Sequence, residues 1–188
     1  MSAPTSTWRI RLARRNDIPA LNLLIPLSVR ALQTNHYTEA QREAAIGPIF
    51  GVDRQLIEDG TFFVAEKPGG QIVGCGGWSK RKAKFGSNAF RTESDPLIDP
   101  ALEAPRIRAF FIHPDYARRG IGRAILKACE EAIFREGYNR AEISATLTGE
   151  PLYVSAGYLV TERFDISLSN GLPLPCVRLA KTFPRKPI

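Results

Sequence analysis

Phe110-Phe111-Ile112-His113-Pro114-Asp115-Tyr116-Ala117-Arg118-Arg119-Gly120-Ile121-Gly122-Arg123 is the stretch on which the reading of this chain turns. An apolar, aromatic run stops at Pro114, a short basic turn with two glycines follows, and a helical pattern opens at Ile121. The order predicts a strand, a loop and a helix N-terminus. The first turn of a helix has backbone amides without intrahelical acceptors and carries the positive end of the peptide dipoles, so it draws phosphate oxygens. Gly120 and Gly122 omit side chains that would hold a ligand off those amides, and Arg118, Arg119 and Arg123 add positive charge. The chemistry fits a diphosphate.

Working outward, Ile121, Ile125, Ala128, Cys129, Ala132 and Ile133 recur at helical spacing, with Arg123, Lys127, Glu130 and Glu131 on the other side. This predicts an amphipathic helix that ends near Gly137 and packs on a sheet. Strands are expected at 106–112 before it and 140–145 after it, joined as a right-handed parallel crossover. Among phosphate loops, the Walker pattern fails because Gly122 is followed by Arg123 and Ala124. A dinucleotide fingerprint keeps two glycines and has Glu142 about 20 residues on, where an acid would hold a ribose, but Ile125 stands at its third glycine. At this point a dinucleotide loop and a plain tight turn both remain open.

The whole stretch resembles the acetyl-CoA loop of the GNAT superfamily of N-acetyltransferases, Gln/Arg-x-x-Gly-x-Gly/Ala after a strand that ends in an apolar-x-Pro step. Phe110-Phe111-Ile112 with Pro114 matches the strand end, and Gly120 and Gly122 match the two small positions. Ala117 departs from the family's Gln or Arg. Pro151-Leu152-Tyr153-Val154-Ser155-Ala156-Gly157-Tyr158 resembles the second signature, with Thr146 and Thr148 in the neighbourhood of the family's Asn.

The resemblance implies an α/β (α+β) fold: a mixed, mostly antiparallel twisted sheet of about six to seven strands flanked by helices, with a central parallel strand-helix-strand unit. It implies transfer of acetyl from acetyl-CoA to a primary amine of a small molecule or peptide, directly within a ternary complex. The strand end Phe110, Phe111 and Ile112 would meet the pantetheine arm, through main-chain groups of Phe110 and Ile112. Arg118, Arg119, Gly120, Ile121, Gly122 and Arg123 would take the pyrophosphate, and Tyr153 would act as general acid on the departing thiolate. The general base stays open among His36, Glu142 and Glu103. His113 reads as a loop residue beside Pro114. A non-catalytic acyl-CoA-binding module and a dinucleotide-binding protein are the competing classes.

Bulk properties narrow this further. At 188 residues the chain suits one domain, 1–188, with residues 80–104 as a turn-rich insertion expected to shape or gate the acceptor site. Residues 1–7 lack a basic and then apolar leader pattern, and no apolar run approaches the ~20 residues of a membrane span, so a cytoplasmic protein without a membrane partner is expected. Cys75, Cys129 and Cys176 are odd in number and lie in apolar surroundings, which points to buried thiols and to no metal site. The net charge of +7 and the run Lys80-Arg81-Lys82-Ala83-Lys84 come without a recognition helix, zinc finger or RNA-binding signature, so nucleic acid is disfavoured. A homodimer is compatible with the sequence.

The remaining elements follow from period and punctuation. Residues 8–13 alternate as a strand; Asn16 or Asp17 caps a helix with Ala20, Leu21, Leu24 and Leu27 as its stripe. Thr38 with Gln41 forms a capping box, and 52–58 is a short helix. Strands at 61–67 and 71–79 flank Pro68-Gly69-Gly70, and the second carries Gly74, Gly76 and Gly77, read as room for a packed neighbour. A short helix at 147–155 carries Tyr153, and 159–168 and 174–181 pair around Asn170-Gly171.

Overall fold

The computed structural model describes residues 8–82 and 95–184. The alternating and apolar runs become seven strands of one sheet: β1 (Arg9–Leu12), β2 (Phe62–Glu66), β3 (Ile72–Ser79), β4 (Arg106–Ile112), β5 (Arg140–Thr146), β6 (Leu159–Ser167) and β7 (Pro173–Thr182). Their order is β1-β2-β3-β4-β5-β7-β6. Every neighbouring pair is antiparallel except β4 and β5, which α4 (Ile121–Arg135) joins as a parallel crossover. β7 lies inside and β6 takes the edge. The residues explain why: β7 buries Leu174, Val177 and Leu179, whereas β6 carries Glu162, Arg163 and Asp165, charges that suit an unpaired edge.

Two apolar cores sit on opposite faces of the sheet. On one face α4 lays Ile121, Ile125, Leu126, Cys129 and Ile133 against Trp78, Ile107 and Ile143, and α5 (Glu150–Ser155) adds Tyr153. On the other, α1 (Ile18–Leu32), α2 (Glu39–Ala45) and α3 (Arg54–Glu58) cover Phe62, Val64, Cys75 and Phe111. The stripe of α1 is Leu21, Leu24, Ile25, Ser28 and Val29; Ala20 and Leu27, placed on it from the sequence, face outward. Ile25 and Val29 continue the i, i+4 row from Leu21 and turn the helix that way. The Thr38–Gln41 capping box forms in both directions, and the Asp53 carboxylate caps α3 by accepting from the Leu56 amide at 3.3 Å.

The strand glycines each meet a neighbour. A Cβ on Gly74 would stand 2.6 Å from Ile121 of α4, and one on Gly76 would stand 2.5 Å from the Phe110 ring. At Gly77 it would meet the Thr61 carbonyl at 2.7 Å. Only the first of these is the helix packing read from the sequence.

The Phe110 contact belongs to a bulge. Arg108 lies opposite Gly77 and Phe111 opposite Cys75, so Ala109 and Phe110 together face Gly76. Ala109 has φ +62°, a left-handed conformation that costs a residue with a Cβ about 1–2 kcal/mol. The bulge bends β4 away from β5. The two strands pair only at Arg106↔Glu142 and Ile107↔Ile143, and beyond Ile107 they separate. The flanks of the 80–104 stretch are tied down: Arg81 makes two hydrogen bonds to Asp59, at 2.7 and 2.8 Å, and Ile98 is buried in the α4-side core. The turn-rich insertion is thus anchored to the fold at both flanks, and Ile98 belongs to the core, while 83–94 lies outside the described residues.

Candidate active site

The gap between β4 and β5 opens into a cavity of about 690 Å³ that reaches both faces of the sheet. From the α4 side it is lined by Phe110, Gly120, Gly122, Leu152 and Tyr153, and from the α1 side by Ser28, Gln33, Phe50, Asp53 and Arg108. A splayed parallel pair is the one place where a ligand can reach unpaired strand backbone in the middle of a sheet.

The basic loop closes one end. Gly120 is the N-cap of α4 with φ +88°, a conformation that a residue with a side chain resists. Among the described residues no protein group accepts from the amides of residues 118–123. Arg118, Gly120, Ile121, Gly122 and Arg123 line the cavity. Arg119 instead stacks over the Tyr116 ring at 5.3 Å, and Arg123 donates to Ser155 Oγ at 2.9 Å. Lys67, which the sequence did not single out, also lies over Tyr116 at 4.7 Å and donates to its hydroxyl. The missing side chain of Gly122 faces Leu152 of α5, 3.1 Å from where a Cβ would stand, so this glycine serves the approach of two helices.

The strand end differs from expectation in one respect. The Ile112 amide donates to Ser28 Oγ at 3.1 Å, so α1 already satisfies it. Phe111 points into the α1-side core, against Phe50 with ring centroids 5.8 Å apart.

Tyr153 is 4 % exposed and packs edge-on against Phe110 and Tyr158, with centroids 5.7 and 6.2 Å away. Tyr153 lines the cavity. Burial, and after it the neighbouring Cys129, raises its pKa above the ordinary 10.0, so the phenol holds its proton at neutral pH. Cys176 also lines the cavity, but burial pushes its thiol up to about 12, which leaves it protonated and a poor nucleophile.

None of the three base candidates lines the cavity. His36 is exposed on the turn after α1, and its neighbour Tyr37 is the buried one, donating to the Pro175 carbonyl at 2.7 Å and accepting from the Leu147 amide at 2.9 Å. Glu142 lies beside Arg106 at 3.7 Å, at the end of β4 remote from the loop. Six strand steps separate Arg106 from Ile112, about 20 Å, too far for Glu142 to hold a ribose whose phosphates sit at the loop. Glu103 accepts from the Asp99 amide at 3.0 Å and pairs with Lys82 at 3.5 Å. The one acid that lines the cavity among the described residues is Asp53, paired with Arg108 at 2.7 Å. Sequence reasoning passed over that pair because its members stand 55 positions apart and neither lies in a motif.

Comparison with known proteins agrees with this architecture. The acetyltransferase (GNAT) domain family matches residues 58–159, more than half of the chain. A GCN5-related N-acetyltransferase from Rhodopseudomonas palustris superposes with a TM-score of 0.70 at 20% identity, over 97% of this chain and 100% of that one. The putative acetyltransferase yncA from Salmonella typhimurium, solved with its cofactor acetyl-CoA, gives 0.61 at 17% identity over 97% and 98% of the two chains. A ribosomal-protein-alanine N-acetyltransferase from Brucella melitensis gives 0.61 at 18% identity over 93% and 99%. No curated protein sequence matches the chain.

Proposed function

The chain belongs to the GNAT acetyltransferase family, and from that premise we propose that it transfers the acetyl group of acetyl-CoA to a primary amine within a ternary complex. The observation that carries this reading is that acceptorless amides 118–123, an unpaired strand edge and a buried protonated phenol all border one cavity. The residues fit acetyl-CoA: six amides with added arginines suit a pyrophosphate, and the gap past Ile107 suits an extended arm that pairs with the main chain of β4. Bound there, acetyl-CoA supplies an activated acyl thioester. Because the cavity draws on residues from Ser28 to Cys176, the reading treats residues 1–188 as one catalytic domain.

In this reading Tyr153 Oη delivers a proton to the departing sulfur. A thiol has a reference pKa near ~8.5, so a thiolate leaves without full protonation and the phenol assists without being indispensable. Arg108 faces away from Ile107 by strand alternation, and the bulge after it turns Phe110 back toward Tyr153, so the two reactants approach from opposite sides of the sheet.

Tyr153→Phe keeps the ring and removes only the hydroxyl. Its turnover in an assay of CoA release with a panel of amines should fall by about 10²-fold while acetyl-CoA affinity stays the same. Full activity in this variant would return Tyr153 to a packing role. Binding of acetyl-CoA without amine-dependent CoA release from the unsubstituted protein would favour a non-catalytic binding module.

A further inference from the structure

We propose that β6 pairs antiparallel with β6 of a second copy of this chain, about a two-fold axis at Phe164, so that one sheet runs through a homodimer. The inference is independent of the acetyltransferase reading. Its first observation is the edge itself. β6 has nine residues and, among the described residues, only β7 beside it, whereas the opposite edge strand, β1, has four. An edge strand turns alternate N–H and C=O groups outward, and shortness is a common protection against further pairing that β1 has and β6 lacks. The pairing of β6 with β7 shifts register between Val160 and Glu162, so 162–167 is the regular part of this edge.

The second observation is the order of charges along that part. A two-fold axis perpendicular to the sheet keeps corresponding faces together, so it passes through a residue and sets positions equally far on either side of it opposite one another. An axis at Glu162, Arg163 or Asp165 opposes a charge to its own copy, which is unfavourable. An axis at Ile166 puts Asp165 against Ser167 and gives it no cation. An axis at Phe164 sets Arg163 against the partner's Asp165 and Asp165 against the partner's Arg163. Both residues are exposed, and Asp165 has no cationic partner among the described residues. Arg163 gives two donors to Glu150, at 2.6 and 3.1 Å, and keeps its Nε–H. Charges that keep an edge from pairing at random thus admit one register. A surface that complements itself is what a two-fold contact requires, and this names a second copy as the occupant.

The ends of the strand extend the contact. Leu159 and Val160, both exposed, come to the partner's turn after β6, where Leu172 is exposed, and this adds apolar area at each end. In the same register the partner's Glu162 stands opposite Ile166, which lines the cavity, so each copy borders the other's site on the α1 side.

The test is sedimentation velocity of the full chain across about 1–100 μM, where a species of twice the chain mass is expected. Asp165→Arg and Arg163→Asp each oppose like charges twice, and each should weaken the dimer about tenfold or more. Mixed in equal amounts, the two variants should form a heterodimer about tenfold or more tighter than either makes with itself, because every altered charge then meets its opposite. If Arg163→Asp does not fold without its bond to Glu150, Asp165→Arg carries the comparison by itself. A monomer throughout the range, wild-type dimer affinity in Asp165→Arg, or folded variants that stay apart when mixed would overturn the inference.

Discussion

Glu66 shows at the scale of one residue how the first strand is fastened to the sheet. Its carboxylate takes Arg11 at 2.7 Å and Arg9 at 2.6 Å, while Arg11 also reaches Asp17 at 2.7 Å. Hydrogen bonds from Arg11 first and Arg9 second pull the Glu66 pKa from its ordinary 4.5 to about 2, and Arg11 lowers Asp17 as well. A carboxyl whose folded pKa lies below its unfolded one stabilises the fold above the unfolded value and loses that contribution as pH falls toward the folded one. The melting temperature should therefore drop between pH 4.5 and about 2. Glu66→Gln should melt lower at pH 7 and lose less across that window; a variant that tracks the wild-type curve would place the acid sensitivity elsewhere. Legibility in the sequence divides along the same line at this scale. Tyr153 stood out because its spacing from Gly157 and Tyr158 is local. Asp53 and Arg108 did not, because their pairing spans 55 positions and borders a cavity that exists only in the fold. His36 is a residue type suited to a base, but its exposed position on the turn after α1 is set by the fold.

At the scale of elements, the strand, loop and helix from 106 to 135 were readable because each boundary has a local cause: Pro114 stops the strand, Gly120 takes the left-handed cap, and the apolar period begins at Ile121. The two loop glycines looked equivalent in the sequence and are not. Gly120 has open space around its missing Cβ but φ +88°, whereas Gly122 has ordinary backbone and Leu152 at 3.1 Å. Gly120→Ala should therefore tilt the amides and weaken acetyl-CoA binding about tenfold, the worth of one hydrogen bond to a charged group. Gly122→Ala keeps its amide in place and should lower stability slightly with affinity nearly unchanged. Calorimetry and thermal melting of both variants separate the roles; the reverse ranking in affinity would mean that ligand crowding at Gly122 dominates. The bulge at Ala109 was not legible, since alanine carries no mark of a left-handed conformation and the cause lies across the ladder at Gly76.

For the whole molecule, the sheet's mixed character was legible from one parallel crossover flanked by hairpin signals, whereas the place of β7 inside β6 follows from which strand buries both faces, a property of pairing. Among the described residues no helix is long and apolar enough to cross a membrane. The central claim of the account is that acetyl-CoA lies in the gap between β4 and β5, with its phosphates on the loop and its arm along the free edge of β4. Amide hydrogen exchange followed by mass spectrometry, with and without saturating acetyl-CoA, tests this most directly, because these amides gain an acceptor only if the ligand is there. The account predicts slowed exchange in peptides covering 118–123, with little change at Ile112, whose amide Ser28 already holds. Unchanged exchange across 110–123 while acetyl-CoA binds, or protection confined to another part of the chain, would contradict it.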